Sequence, residues 1–366
     1  MRAARAVWFA GPGRAEIRDE SLPPVGAREI LVRAERSAIS HGTEMLVYRG
    51  QVPPDTTLDL PTLAGSFDFP IKYGYASVGT VLEIGSAVPG EVPEPRPGDR
   101  VFCLHPHQTA YVVPAELAWR LPDDLDPERA VFAANVETAL NVLLDTPVRL
   151  CERAAVFGQG TVGLLIGLLA RRNGAGRVAV VDPFERRRAL ALSLGAYAAL
   201  DPADAAPDAL SDVLGGRPDL VYEASGSSTA LQAAIEAVAD EGTVTVCSWY
   251  GTRTAPLMLG GQFHRGRIHL RSSQVGRIAP ELGGRWGYSR RRQAVLALLS
   301  ELPLERLISH RFAFEEAPEA YALVAGRADE TVQVILTYRS GGGGGGGGGR
   351  PPGPRPPGPR ARERGR

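Results

Sequence analysis

The stretch AAVFGQGTVGLLIG, Ala154 to Gly167, decides the fold. Its first four residues are small or apolar and read as a buried strand. From Thr161 onward, TVGLLIGLLARRNG reads as a helix that stops at Gly174. Between them stand Gly158, Gly160 and Gly163 in the spacing GxGxxG. The first glycine permits a tight turn, the second lets backbone approach a pyrophosphate, and the third lets helix and strand pack closely. The amides that open the helix, around Thr161 and Val162, are free to donate to phosphate oxygens. Spacing alone is a weak signal; the flanking strand and helix make it specific. A second strand, RVAVVD, ends at Asp182, 19 residues beyond Gly163. A carboxylate there accepts the adenosine ribose hydroxyls and repels a 2′-phosphate, so NAD is the expected cofactor. NADP stays open, because Arg186, Arg187 and Arg188 follow, and arginines at this strand end can cradle that phosphate.

Working outward, helices and strands keep alternating. The pattern predicts helix RRRALALSLGA, strand DLVYEAS, helix STALQAAIEAVAD and strand GTVTVCS. A strand near IHLRSSQ and a helix near SRRRQAVLALLSEL follow, and LISHRFAFEEAPEAYALV with TVQVILTY closes the fold. Upstream, ETALNVLLD is helical, but residues 1 to about 133 have another texture. EILVRAERSAIS and YASVGTVLEIG alternate as strands, and PRPGDRVFCL is a turn entering another. The expected fold class is α/β: a β-rich domain, then a doubly wound parallel sheet. Beyond Tyr338, the run Gly341–Gly349 and RPPGPRPPGPRARERGR cannot bury a core and are expected to form a disordered tail.

Composition narrows the function. A chain of 366 residues has room for two domains with filled cores. No apolar run reaches the roughly 18 residues of a membrane span, and MRAARAVWFAGPGRAEIRDE reads as a first strand rather than a signal peptide. Cys103, Cys151 and Cys247 are odd in number and widely spaced, which suits a reducing cytoplasm. Three cysteines also cannot fill a four-cysteine zinc lobe. Net charge is zero, yet Arg350 to Arg366 holds six arginines against one glutamate, so the remainder is acidic. Such a body is a poor nucleic-acid binder. The expected partners are a small-molecule substrate and a second copy of the chain in a homodimer, with neither nucleic acid nor membrane. Lys72 is the only lysine among 41 basic residues.

The order of β domain, GQGTVG, VVD, YEASG and the closing LISHRF…EEAPEAYAL resembles the medium-chain dehydrogenase/reductase superfamily, over about Met1 to Tyr338. The resemblance implies a GroES-like substrate domain over residues 1–133, completed by 305–338. It implies a Rossmann NAD(P)-binding domain over 134–304, leaving 339–366 as the tail. Zinc-dependent members carry a Cys-Gly-Thr-Asp-like motif, a Gly-His-Glu motif and a third ligand before the first Rossmann strand. Here SHGTE places His41 (or Ser40) at the first position, and Gly74-Tyr75-Ala76 stands at the second. The third falls near Ala134, beside Asn135 and Glu137. Zinc needs about three protein ligands in tetrahedral geometry, so no zinc is expected. A site rebuilt from His41, His105 and His107 is the alternative. SAISHGTEMLVYRG and YGYASVGTV look closest to the zinc-lacking branch that includes the bacteriochlorophyllide hydroxyethyl dehydrogenases, which oxidise a secondary alcohol to a ketone.

The resemblance thus implies a zinc-independent NAD(P)-dependent oxidoreductase working on a secondary alcohol or ketone. An enoyl or quinone reductase on the same fold is one rival reading, and a nucleotide-binding protein without catalysis is another. Without a Lewis acid, side chains must polarise the carbonyl and move one proton. Thr43 matches the hydroxyl residue of the superfamily's proton relay. His41 lies two residues away, and its reference pKa near 6.5 suits proton exchange at neutral pH. Tyr75 is the other candidate, or else an apolar filler. Its phenolate needs a nearby cation, and on an extended strand Lys72 points to the opposite face. His105 and His107 either line the substrate mouth or lie on the surface; His264, His269 and His310 are expected to be structural. At the nicotinamide end the resemblance implies Thr138 and the backbone after Cys247 in VCSWYG. Glu223, at a strand end in YEASG, is expected to serve the fold or the nucleotide. MLVYRGQVPPDTTLDLPTLAGSFDF is expected to wall the substrate pocket.

Overall fold

The computed structural model describes residues 2–339 except 54, 59, 61, 64 and 89–94. The glycine run and the proline–arginine segment expected to be a disordered tail lie outside the described residues. The chain opens with strands β1 (Arg2–Gly11), β2 (Arg14–Leu22) and β3 (Glu29–Ile39), then the short helix α1 (Thr43–Tyr48). Strands β4 (Ser77–Ile84), β5 (Arg100–Cys103), β6 (Ala110–Pro114) and β7 (Trp119–Arg120) follow. Helices α2 (Pro127–Ala130) and α3 (Ala133–Asp145) lead into β8 (Arg153–Phe157), α4 (Thr161–Arg172), β9 (Arg177–Val181) and α5 (Glu185–Ser193). Next come β10 (Ala198–Leu200), α6 (Pro207–Leu214), β11 (Leu220–Glu223), α7 (Ser228–Ala237) and β12 (Thr243–Val246). The chain ends through α8 (Gln262–Arg265), β13 (His269–Ser272), α9 (Tyr288–Glu301), β14 (Ile308–Ala313), α10 (Ala317–Gly326) and β15 (Gln333–Thr337).

The six strands β10-β9-β8-β11-β12-β13 form one sheet with every pair parallel. β8 is buried throughout beyond Arg153, with Ala154, Ala155 and Val156 at 0% exposure. This is why its sequence is continuously apolar rather than alternating, as helices cover both faces of such a sheet. The chain runs from β8 outward to β9 and β10, then returns to place β11 on the other side of β8. The strand order therefore reverses between β8 and β11, and ligands of such sheets bind at the carboxyl ends there.

The second sheet has the order β14-β15-β3-β4-β5-β7, with β6 also on β3, and β1 and β2 form a separate antiparallel ribbon. β15 pairs antiparallel with β3 through Val334 opposite Ile39, so the end of the chain completes the sheet begun by its first strands. Thr161, the first residue of α4, donates its hydroxyl to Val332 O at 2.9 Å, and Arg187 of α5 donates to Thr331 O and Ala328 O, each at 2.8 Å. These bonds lock the parallel-sheet half to the returning segment. A largely buried ion pair, Arg291 with Glu137 at 2.9 Å, fixes α9 against α3.

Several elements went unread in the sequence, α1, β10 and α6 among them. α1 falls inside a segment read as pocket wall, and it buries Met45, Leu46, Val47 and Tyr48. β10 spans only three residues. α6 starts at a proline and ends on Gly215 in the left-handed region, both recognisable helix punctuation, but its eight residues interrupt what reads as a loop.

Candidate active site

The turn from β8 into α4 has the geometry its glycines predict. Gly158 sits at φ 92°, and a Cβ on Gly163 would stand 1.9 Å from Gly158 O. Neither position admits a larger residue without moving backbone. Nothing lies within 4 Å of where a Gly160 Cβ would be, so open space fronts the start of α4. Open space before unpaired helix amides fits a dinucleotide pyrophosphate. Thr161 faces away from it, because its hydroxyl is spent on Val332 O; only its amide remains for a ligand. Val162 is half-buried. On α3, Thr138 and Asn135 share a half-buried face, with Asn135 donating to Gln333 Oε1 at 3.1 Å and Thr138 returning its hydroxyl to Ala134 O.

Asp182 sits just beyond β9 and is 2% exposed. Its Oδ2 accepts from the Gln159 amide at 2.6 Å and its Oδ1 from the Phe184 amide at 2.9 Å. The carboxylate therefore shapes the glycine turn while retaining further acceptor capacity. The three following arginines are not one exposed helix start. Arg187 is tied to the carbonyls of residues 328 and 331, and Arg188 to Asp182 O and Asp201, both at 2.7 Å. Arg186 alone of the three is exposed.

The candidate reacting end is built by the loop before α1 and the segment before β4. Tyr75 donates its hydroxyl to Ser40 Oγ, and the Thr43 hydroxyl stands beside it. Burial, reinforced by the Glu44 charge, pushes the phenol up to about 12. Lys72 takes no part, since its ammonium contacts Glu20 at 2.8 Å and Gln108 at 2.9 Å. Tyr75 is thus a protonated donor at neutral pH and not a cation-stabilised phenolate. His41 requires a correction. Burial, then the nearby Arg187 charge, lowers it to about 3, and its Nε2 has no partner among the described residues. An imidazole in that setting stays neutral and is a poor exchanger at neutral pH.

His105 and His107 are neither surface residues nor the mouth of a pocket. His105 is 7% exposed, stacks on Tyr111 at 3.9 Å and is held by burial at about 3. His107 is wholly buried, with Nδ1 at 2.7 Å from Ser37 Oγ and Nε2 at 3.1 Å from Glu44 Oε2. A self-consistent chain runs from Tyr338 through Ser37 and His107 to Glu44, which also accepts from Tyr321 at 2.6 Å. With both His107 nitrogens engaged and His105 stacked, the three histidines do not make a donor set. Ala134 offers no ligand atom and Tyr75 is hydrogen-bonded. Among the described residues no three His, Cys, Asp or Glu side chains come together. The residues present do not fit a tetrahedral zinc.

In the loop after β12 the sequence reading named only the backbone following Cys247 and did not single out Trp249. Glu223 is fully buried and serves the fold: its Oε1 accepts from Ser225 and Gly226 amides, at 2.6 and 2.9 Å. Its other oxygen accepts from Tyr250 at 3.1 Å, which positions Trp249. A lone tryptophan after a strand carries no pattern, so no sequence signal marks it.

Two sheets, one parallel with a glycine turn at its switch point and one mixed, largely antiparallel, beside a hydroxyl cluster, define a nicotinamide-linked dehydrogenase class. The profile of the zinc-binding dehydrogenase family matches residues 161–298. L-threonine 3-dehydrogenase of Anaeromyxobacter sp. (strain Fw109-5) is 26% identical, covering 92% of this chain and 97% of that protein. Sorbitol dehydrogenase of Ovis aries is 23% identical, covering 85% and 90%. Among solved structures, an Escherichia coli CFT073 alcohol dehydrogenase complexed with NADH superposes with a TM-score of 0.76 at 18% identity, over 92% of this chain and all of that one. The chain is thus similar to dehydrogenases over most of its length, and is an NAD(P)-linked oxidoreductase.

Proposed function

We propose that this enzyme exchanges hydride between a nicotinamide dinucleotide, NAD in preference to NADP, and a secondary alcohol or ketone without zinc. The observation that carries the reading is the Tyr75 phenol. It occupies the position where zinc-dependent members have a histidine, it is raised to about 12, and it is joined to Ser40 with Thr43 alongside. In ketone reduction the Tyr75 hydroxyl donates its proton to the carbonyl oxygen, which becomes the alcohol oxygen. Bound nicotinamide supplies the hydride to the carbonyl carbon. The Ser40 and Thr43 hydroxyls stabilise the phenolate and return a proton to it from solvent. Glycines 158, 160 and 163 with the amides of Thr161 and Val162 hold the pyrophosphate, Asp182 the adenosine ribose, and Thr138 approaches the nicotinamide. The zinc-lacking branch is supported by His41, Tyr75 and Ala134 at the ligand positions. The zinc-binding family profile covers residues 161–298, outside all three.

The homodimer forms through β13. This strand ends its sheet, and Leu270 on it is 40% exposed, near Met258 and Leu259 in sequence at 67% and 44%. An edge strand carrying an exposed leucine favours pairing with its own copy about a two-fold axis.

The test is elemental analysis with a turnover assay over simple ketones and NADH. The reading expects no stoichiometric zinc and activity retained in a strong chelator. One zinc per chain, with activity lost on chelation and restored by metal, overturns it. Reduction of conjugated C=C bonds alone would instead favour an enoyl or quinone reductase.

A further inference from the structure

We infer that a charged cleft between β3 and α2, on the β-rich half of the protein, is a binding site for a small phosphate-bearing anion. It is separate from the glycine turn and from the Tyr75 hydroxyl, and it does not depend on the chemistry proposed above. The cleft has a volume of about 260 Å3 and is lined by Arg33, Ala34, Glu35 and Arg36 of β3, with Pro127 of α2 and Tyr338.

Two irregularities of β3 shape it. Against β4, Arg33 stands opposite Thr80 and Ala34 opposite Gly79, but Arg36 stands opposite Val78, so Glu35 is an extra residue. Residues three apart on a regular strand point to opposite faces. The bulge at Glu35 turns Arg33 and Arg36 to the same one. On its other edge β3 pairs with β6 as far as Arg33 and with β15 from Arg36 onward. The sheet therefore forks at Ala34 and Glu35, and the cleft lies at the fork.

Charge decides what fits there. The Glu35 carboxylate is taken by the Thr80 hydroxyl and by Arg100 at 3.1 Å. Glu128, in the first turn of α2, accepts from Arg311 at 2.8 Å and 3.1 Å, and Asp126 caps the same helix through the Glu128 amide. Arg36 comes only within 3.6 Å of Glu128. It donates to the Glu35 carbonyl at 2.8 Å, and its buried Nε has no hydrogen-bond partner among the described residues. Arg33 is half-buried and makes no hydrogen bond or ion pair among the described residues. Both carboxylates are thus spent on Arg100 and Arg311, which do not line the cleft, and the two arginines that do line it have no carboxylate of their own. A half-buried cation without a partner is costly, and an anion relieves it. Two guanidinium forks on one wall suit a phosphate, whose several oxygens accept from both, better than a monocarboxylate, which one fork saturates.

The test is calorimetry of the full chain with inorganic phosphate at low ionic strength, with and without saturating NADH. Phosphate held at the turn after β8 is the part that NADH displaces. We expect one further phosphate per chain that NADH leaves in place, with affinity at least about tenfold lower in Arg33→Gln and in Arg36→Gln. Acetate at equal ionic strength should not bind. Glycerol 3-phosphate bound as tightly as phosphate assigns the site to monoesters, and much weaker binding assigns it to the free anion. Melting adds a readout that an arginine with a purely structural role would move the other way. Without phosphate, Arg33→Gln should melt at or above the wild type, because an unpaired charge is removed; phosphate should then raise the wild type and leave the variant unchanged. No binding, phosphate wholly displaced by NADH, equal affinity in both variants, or an Arg33→Gln protein that melts well below the wild type without phosphate overturns the inference.

Discussion

Replacing Tyr75 by phenylalanine isolates the proton donor. The ring keeps its edge-to-face contact with Tyr73, and only the hydroxyl joined to Ser40 is lost. One buried hydrogen bond of this kind contributes about 1 kcal/mol, so melting should shift by only about 2–4 °C. Turnover should fall by about 10²–10⁴, the scale of a positioned general acid, while NADH affinity, which rests on the other sheet, is retained. The pH profile sharpens the test. A phenol near 12 is protonated throughout the working range, so ketone reduction should be flat between about pH 6 and 10. Alcohol oxidation needs the phenolate as acceptor, so its kcat/KM should climb about tenfold per pH unit over the same range without levelling. Thr43→Val should lower turnover by about 10²-fold through the same relay. Steady-state rates in both directions for the wild type and both variants provide the measurement. A Tyr75→Phe enzyme keeping more than about a tenth of wild-type turnover, or an oxidation profile that levels near neutrality, would refute the assignment and return the role to an imidazole.

Asp182→Ala should narrow the NADH-over-NADPH preference measured by calorimetry. It should also cost about 2–4 kcal/mol of stability, because the Gln159 and Phe184 amides lose their acceptor. Equal affinities for the two cofactors in the unmodified protein remove the basis for the NAD preference. His105 is lowered from 6.5 to about 3 by burial, so the unfolded chain takes up a proton that the folded chain refuses. Its contribution is present above pH 6.5 and drains away as pH falls toward 3; denaturant titrations should show about 2–3 kcal/mol lost by pH 4.5, and a smaller loss in His105→Phe. Leu270→Lys should convert the dimer to monomer in sedimentation velocity, and an unmodified protein that sediments as a monomer would exclude the β13 interface.

Local chemistry made the nucleotide half legible. Strand, glycine turn, helix and Asp182 lie within thirty consecutive residues, and each is required by backbone geometry that a short sequence must announce. The alternation of strands and helices likewise announced the parallel sheet, because a strand buried on both faces has to be continuously apolar. The reacting end was legible only as a set of substitutions at positions 41, 75 and 134. What those residues do depends on partners far away in the chain. Tyr75 is raised by burial and then by Glu44, His41 is lowered by burial and then by Arg187, and His107 is consumed by Ser37 and Glu44. Trp249 faces Phe67 only because Glu223 and Gln51 hold its loop. The protein's own sequence determined its fold class and cofactor turn through short-range backbone constraints. Tertiary structure alone decided which hydroxyls are joined and which histidines are spent, since desolvation and side-chain pairing depend on contacts between residues tens to hundreds of positions apart.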